Sequence, residues 1–181
     1  MAKTEPFVHL HLHTQHSILD GVIPVPRLME RVAALGMPAV AMTDHGNLFA
    51  AVDFHQVAVQ AGIRPILGCE VYIAQGSRFD KDPDTGGFDG INHLVLLAMN
   101  ETGYRNLIRL VSKGYLEGFY YKPRIDLELL RAHSEGLIAT SGCLSAMVPS
   151  AILKGRTQSA WELLEKYQRI FKDRYYIELQ R

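Results

Sequence analysis

His11 and His13 stand one residue apart in the string FVHLHLH, so on an extended chain both imidazoles project to the same side. Asp20 follows in a loop, His45 sits in TDHGN directly after Asp44, and Glu70 lies in GCEVYIA. His93 opens the apolar run HLVLLA, and Cys143 closes TSGC. Imidazoles suit zinc and iron, carboxylates admit manganese and magnesium, and a thiolate favours soft or borderline ions such as zinc. Seven donors exceed the roughly four that one tetrahedral ion takes, so two or three divalent ions are expected. Ions held a few ångströms apart lower the pKa of water and clamp the attacking and leaving oxygens of a phosphoester. Phosphoester hydrolysis is the chemistry such a constellation serves.

Taken singly, each donor also has a structural reading. A histidine in HxH can pack across strands, His45 can form a turn with Gly46, and Glu70 can pair with a base. Cys143 can be a small buried hydrophobe, or a thiol nucleophile, though no histidine lies near it in sequence to activate it. It is the set, spread over successive strand ends, that points to metal. His9, His16, His55 and His133 are read as structural or solvated. Asp80, Asp82 and Asp84 alternate like the start of a calcium loop, but Gly86 arrives one residue late and Ile91 stands where a closing glutamate belongs. That stretch reads as a solvated loop. Lys122 and Arg124 form a two-charge patch for which surface solvation is the better reading.

The elements that must bring these donors together follow from hydrophobic spacing. Phe7 to His13 alternates as a strand, with Val8, Leu10 and Leu12 opposite the histidines. Val25, Leu28, Met29 and Val32 mark a helix, with Pro24 and Pro26 at its start. Further strands are expected at Ala39–Met42, Ile66–Ile73, Leu94–Ala98, Leu137–Thr140 and Tyr175–Leu179. Helices are expected around Phe54–Ala61, Tyr104–Val111, Asp126–Arg131 and Leu163–Phe171. Residues 76–90 read as a Gly- and Asp-rich loop. Alternating strands and helices imply parallel strands joined by right-handed crossovers, with strand carboxyl ends converging on one face. A closed (β/α)8 barrel takes about 250 residues, so 181 residues carrying six strands suggest part of a larger barrel or of a larger protein.

Composition bounds the class. Hydrophobic residues make up 48% and charged residues 21%, which supports one folded domain and argues against disorder. No apolar run of about 18 residues is present and the first residues lack a signal-peptide layout, so a cytoplasmic protein with no membrane partner is expected. Cys69 and Cys143 are too few for a disulfide framework. Nineteen basic residues balance nineteen acidic ones, which makes this piece alone a poor nonspecific DNA binder.

The strings FVHLHLHTQHSILDG, AMTDHGNLFAAVDF, GIRPILGCEVYIA, GFYYKPRID and LIATSGCLSAMVP resemble the N-terminal polymerase-and-histidinol-phosphatase (PHP) domain of bacterial DNA polymerase III alpha subunits. The likeness runs from about Phe7 to the end of the chain. It implies a distorted, TIM-like (β/α)7 barrel, here cut before its last strands, and a centre of nine ligands for up to three ions. His11, His13, Asp20, His45, Glu70, His93 and Cys143 match seven of the nine; the other two belong to a later Asp-x-His motif. The resemblance implies zinc, manganese or iron, with magnesium admissible, and a role in 3′–5′ exonuclease proofreading beside a polymerase active site lying in other domains. The remainder of the polymerase chain, primer-template DNA, and replisome subunits such as a sliding clamp or proofreading subunit are the implied partners. Two other functions stay open: a metal-stapled structural module, and a stand-alone phosphoesterase.

Overall fold

A computed structural model describes residues 7–82 and 91–180. In chain order its elements are α1 (Val25–Ala34), β1 (Ala39–Met42), α2 (Ala51–Gln60), β2 (Arg64–Ala74), β3 (Ile91–Ala98), α3 (Glu101–Leu116), β4 (Phe119–Tyr120), β5 (Lys122–Ile125), α4 (Leu127–Ala132), β6 (Leu137–Thr140), α5 (Met147–Leu153), α6 (Thr157–Phe171) and β7 (Tyr175–Tyr176). The architecture is mixed α/β. Helix α1 begins on Pro24, whose extended backbone suits the entry, and buries Val25, Leu28, Met29 and Val32, the residues its spacing selects. Asn100 caps α3 by accepting from the Gly103 N–H, and Asp126 caps α4 by accepting from the Leu129 N–H.

The strands form one sheet in the order β4-β5-β2-β3-β6-β7, with β1 paired to β2. The long β2 organises it. Its first residues pair in parallel with β1, its later ones in parallel with β5, and its other edge with β3. Among the described residues the sheet is open, with no pairing between β4 and β7. Register sorts the side chains by face. Leu94, Leu96, Leu137 and Ala139 join a large cluster with Leu107, Leu110 and Phe171 from the covering helices. The opposite face carries Ala41, Val95 and Leu97, with Ile66 and Ile138 against them. Above these apolar residues, on the same face, stand Glu70, Tyr72 and His93, because Glu70 pairs Val95 and Tyr72 pairs His93.

Several expectations are corrected. Phe7–His13 is not a regular strand. It runs beside β1, accepting at His9 from the Ala41 N–H and at Leu12 from the Thr43 N–H. Three residues on one side therefore match two on the other, which breaks the ladder as a bulge does, and Leu10 turns outward. Nor are all strands parallel: β3 runs antiparallel to both β2 and β6. The loop that the sequence leads one to expect over residues 76–90 is a connection that allows neighbouring strands to pair antiparallel, whereas parallel strands need a longer crossover. The β4–β5 ribbon and α5 were not expected, and β7 is shorter than the predicted Tyr175–Leu179. Asp84 and Gly86 of the rejected calcium loop lie outside the described residues.

Arg124 is not a solvated surface charge. It is 1% exposed and donates to the carbonyls of Gly118, Arg78 and Asp80, closing the turn between α3 and β5. Beside it, Asp126 accepts from the Arg78 backbone at 2.9 Å and from the Arg78 guanidinium at 3.0 and 3.1 Å. Burial alone would lift the Asp126 carboxyl, but the Arg78 and Leu129 N–H groups and the Arg78 charge overcome it and hold the carboxyl below its ordinary range. Removing one partner of such a pair leaves the other charge buried and uncompensated. Asp126→Ala is expected to lower unfolding free energy by about 3 kcal/mol, read from urea denaturation. Because the folded value is depressed, this stability is present above the unfolded carboxyl value of about 3.9 and is lost as pH falls through the folded one. The variant's acid limb should therefore be shallower than the wild type's.

Candidate metal centre

The donors meet at the end of the sheet where β1 and β6 finish. β3 reaches the same end with its start because it runs the other way, which is how His93 joins the group. His45 follows β1 and bridges Glu70 on β2 in the parallel sense. Its turn depends on Gly46, at φ +63°, where a Cβ would lie 2.9 Å from Tyr72 and from Pro123. The loop carrying Asp20 is anchored through Thr14, which donates to Asp44 from its N–H at 2.6 Å and its hydroxyl at 2.7 Å. Asp44 thus has a structural task. Ser17 completes the loop by accepting from the His45 N–H and donating to Asp20 at 2.9 Å.

Glu70 sits at the middle, its side chain 1% exposed. One carboxylate oxygen faces His11 Nε2 at 2.9 Å and His13 Nε2 at 3.1 Å, and the other faces His93 Nδ1 at 2.7 Å. His45 Nε2 meets Asp20 at 2.9 Å. His45 Nδ1 is buried, 3.5 Å from Glu70 Oε2, and makes no hydrogen bond. His45 stacks on His13, with ring centroids 4.3 Å apart, and on Tyr72 at 5.8 Å. Tyr72 also meets the edge of His93, so one phenol ring fixes two imidazoles.

Three sets of donor atoms lie close enough to surround a cation: His11, His13 and Glu70; His13, Asp20 and His45; and His45, Glu70 and His93. They overlap, since His13, His45 and Glu70 each belong to two. The donor types suit borderline and hard divalent ions, and the orphaned His45 nitrogen has the lone pair such an ion would take. Six of the seven expected residues therefore converge. Cys143 stands next to them but in none of the three sets, its sulfur 3.7 Å from Glu70 Oε1 and 4.0 Å from His93 Nδ1. His9, His16, His55 and His133 belong to none of these sets either.

The clustered acids and imidazoles shift one another's protonation. Burial would raise the Glu70 carboxyl, yet hydrogen bonds from His11, His13 and His93 drive it far below the usual carboxylate range. Burial works against a charged His11, but hydrogen bonds to Glu178 and Glu70 raise it to about 10. His93 is likewise disfavoured by burial and raised to about 9 by Cys143 and Glu70. His45 is lowered, first by burial and then by the neighbouring imidazoles His13 and His93 against the pull of Glu70 and Asp20. A cation entering the centre displaces the His11 and His93 protons.

Sequence reasoning missed Glu178. It lies just past β7, and Thr140 and Tyr176 are in register, so the chain delivers it beside His11. Glu178 Oε1 accepts from His11 Nδ1 at 2.7 Å, and Thr140 donates to Oε2 at 2.6 Å. The expected strand Tyr175–Leu179 hid it: Glu178 falls past the strand end only because β7 stops at Tyr176.

Comparison with known proteins now bears on the whole arrangement. A DNA polymerase III subunit alpha from Thermus aquaticus is 52% identical over 99% of this chain and 15% of its own length. One from Treponema pallidum is 50% identical over 96% of this chain and again 15% of its own length. The chain thus spans about 15% of the length of these curated relatives. Among solved structures, an amidohydrolase from Chromobacterium violaceum aligns with a TM-score of 0.42 at 22% identity, over 59% of this chain and 32% of that one. Among the described residues no helix is long and apolar enough to cross a membrane. The PHP domain model matches residues 9–181, nearly the whole sequence and every donor of the cluster, and on that match the chain belongs to the PHP domain family.

Proposed function

We propose that this chain is the N-terminal PHP domain of a bacterial DNA polymerase III alpha subunit, and that its donor cluster serves 3′–5′ hydrolysis of DNA ends. Identities of 50% and 52% to relatives of that name support the parentage. The proposed fold is a distorted TIM-like barrel that further strands of the parent complete. The proposed ligands are His11, His13, Asp20, His45, Glu70 and His93, with Cys143 beside them as a seventh donor. Up to three divalent ions, zinc, manganese or iron with magnesium admissible, are the proposed occupants.

The observation that carries the chemistry is the sharing of His13, His45 and Glu70 among adjoining donor sets. Shared ligands keep ions a few ångströms apart, the spacing at which they act on one phosphoester. Ions bound there supply Lewis acidity toward phosphoryl oxygens and a lowered pKa for water. The chain supplies the geometry. Glu70 places a buried negative charge between three imidazoles, Tyr72 locks His45 and His93, and the Thr14–Asp44 and Ser17 bonds hold Asp20 at the rim, half exposed to an incoming substrate. Nucleotide addition is assigned to other parts of the parent, which with DNA and further replisome subunits makes up its proposed partners.

One observation favours a second, structural reading. The segment before Thr14 holds to β1 by few backbone bonds, and ions bridging His11 and His13 to Glu70 would staple it to the sheet. The two readings separate in the full-length parent carrying His11→Ala and His13→Ala, assayed for degradation of a labelled single-stranded primer and, in parallel, for primer extension. Loss of degradation with extension intact is the result expected. Unchanged degradation would sink the exonuclease reading, and loss of both activities would favour the staple.

A further inference from the structure

Beside the donors opens a cleft of about 620 Å³, the scale of a small-molecule site. Asp20, His45 and His93 line one part of it, and Lys122, Lys154 and Arg156 line another. Lys122 comes from β5, while Lys154 and Arg156 flank Gly155 in the turn between α5 and α6, so a strand and a separate turn bring three cations to one space. Among the described residues none of the three has a carboxylate partner. In a chain of zero net charge, an unpaired trio at the mouth of one cleft is a local excess of positive potential. The Lys122 ammonium lies 5.4 Å over the Tyr72 ring, which ties this wall to the residue that stacks on His45. Helix α6 starts here without a side-chain cap, adding the positive end of its dipole. Met147 and Leu163, also in the lining, give a base an apolar surface.

We propose that Lys122, Lys154 and Arg156 form a backbone track for a single DNA strand, gripping the phosphates just upstream of the terminal linkage presented to the donors. This rests on the exonuclease reading above. The cleft is on the scale of a dinucleotide, whose two or three phosphates the cations face. Three cations neutralising about three phosphates give a slope near −2 in log affinity against log salt for a single strand, about 0.7 per charge.

The test uses the full-length parent with Lys154→Gln/Arg156→Gln and with the triple variant that adds Lys122→Gln. For a single-stranded oligo(dT), KM of the triple variant should rise about tenfold, with kcat within twofold and ion content unchanged. The salt slope of KM should flatten by about 1.4 in the double variant. Thymidine 5′-(p-nitrophenyl phosphate), which has no upstream phosphates, should be hydrolysed equally by all three proteins. Unaltered KM and salt slope in the triple variant overturn the track. Equal losses on both substrates point to a free phosphate subsite instead and overturn it too. A second measurement stands apart from hydrolysis: an oligonucleotide with 4-thiothymidine at its 3′ end, photo-crosslinked to chelator-treated protein. Adducts on cleft peptides that disappear in the triple variant uphold the track, and adducts only elsewhere overturn it. Should the wild type hydrolyse nothing, the exonuclease reading fails while the crosslink still decides the track.

Discussion

Glu70→Gln is expected to strip most ions from the centre and to lower the metal-dependent hydrolysis proposed for the parent by about 10³-fold, near the upper end of what loss of one preorganised charged group costs. The side chain keeps its shape and loses only its charge. Two of the three donor sets contain Glu70, so neutralising it removes the anionic ligand from both and leaves sets dominated by imidazoles. The metal-free protein is expected to survive the change. Against burial, Glu178 and Glu70 hold His11 charged, and Cys143 and Glu70 hold His93 charged, so losing Glu70 shifts both toward their neutral forms and relieves the imbalance. Asp20→Asn is the control: Asp20 belongs to one set and its side chain is 47% exposed, so its loss should remove at most one ion. Elemental analysis of protein passed through gel filtration after zinc or manganese loading reads this directly. A Glu70→Gln protein with the full ion complement would show that the donors do not act around this carboxylate.

That Glu70 is a candidate donor was legible in the sequence; that it stands in the middle of the cluster was not. An apolar run and residue type placed it on a strand among metal-type residues, and similar apolar runs found β1 and β6, while i, i+3, i+4, i+7 spacing found α1 with its buried face. What sequence spacing cannot carry is pairing partner and direction. His93 reaches the centre because β3 runs antiparallel to β2, a direction that side-chain periodicity does not encode. Convergence at strand carboxyl ends was therefore the right expectation for His45 and the wrong reason for His93. The Phe7–His13 alternation looked like a ladder, but one extra residue against β1 breaks the pairing while still leaving His11 and His13 on Glu70. Arg124 was misjudged because a charged residue reads as solvated by type, and only the folded turn shows three carbonyls converging on it. Cys143 was selected by its place after a strand, yet its sulfur stops short of the three donor sets.

Glu178→Ala is the second large effect, and it tests a residue that no motif supplied. A metal-bound histidine needs its free nitrogen protonated and aimed, which a carboxylate on the opposite side of the ring accomplishes. His11 presents Nε2 to Glu70 and Nδ1 to Glu178, so when Nε2 takes an ion the Nδ1–H keeps its acceptor. Thr140 and the Ser141 hydroxyl, which accepts from the Glu178 N–H, brace that acceptor. Loss of such a partner typically costs 10–100-fold in metal affinity, and about that loss is expected here in chelator competition. The figure is a net one. Removing Glu178 also eases departure of the His11 proton, so part of the cost is returned at neutral pH and more of it shows at high pH, where no proton competes. Glu178→Gln should stay within a few-fold of wild type, because its amide oxygen can still accept from Nδ1–H, and Thr140→Val should fall between the two. The readout separates positioning from bulk stability: Glu178→Gln, which keeps the acceptor and loses the charge, should lower the urea midpoint of the metal-free protein while keeping its metal affinity. Equal affinity for Glu178→Ala and wild type across pH would leave Glu178 a surface carboxylate that happens to lie beside His11.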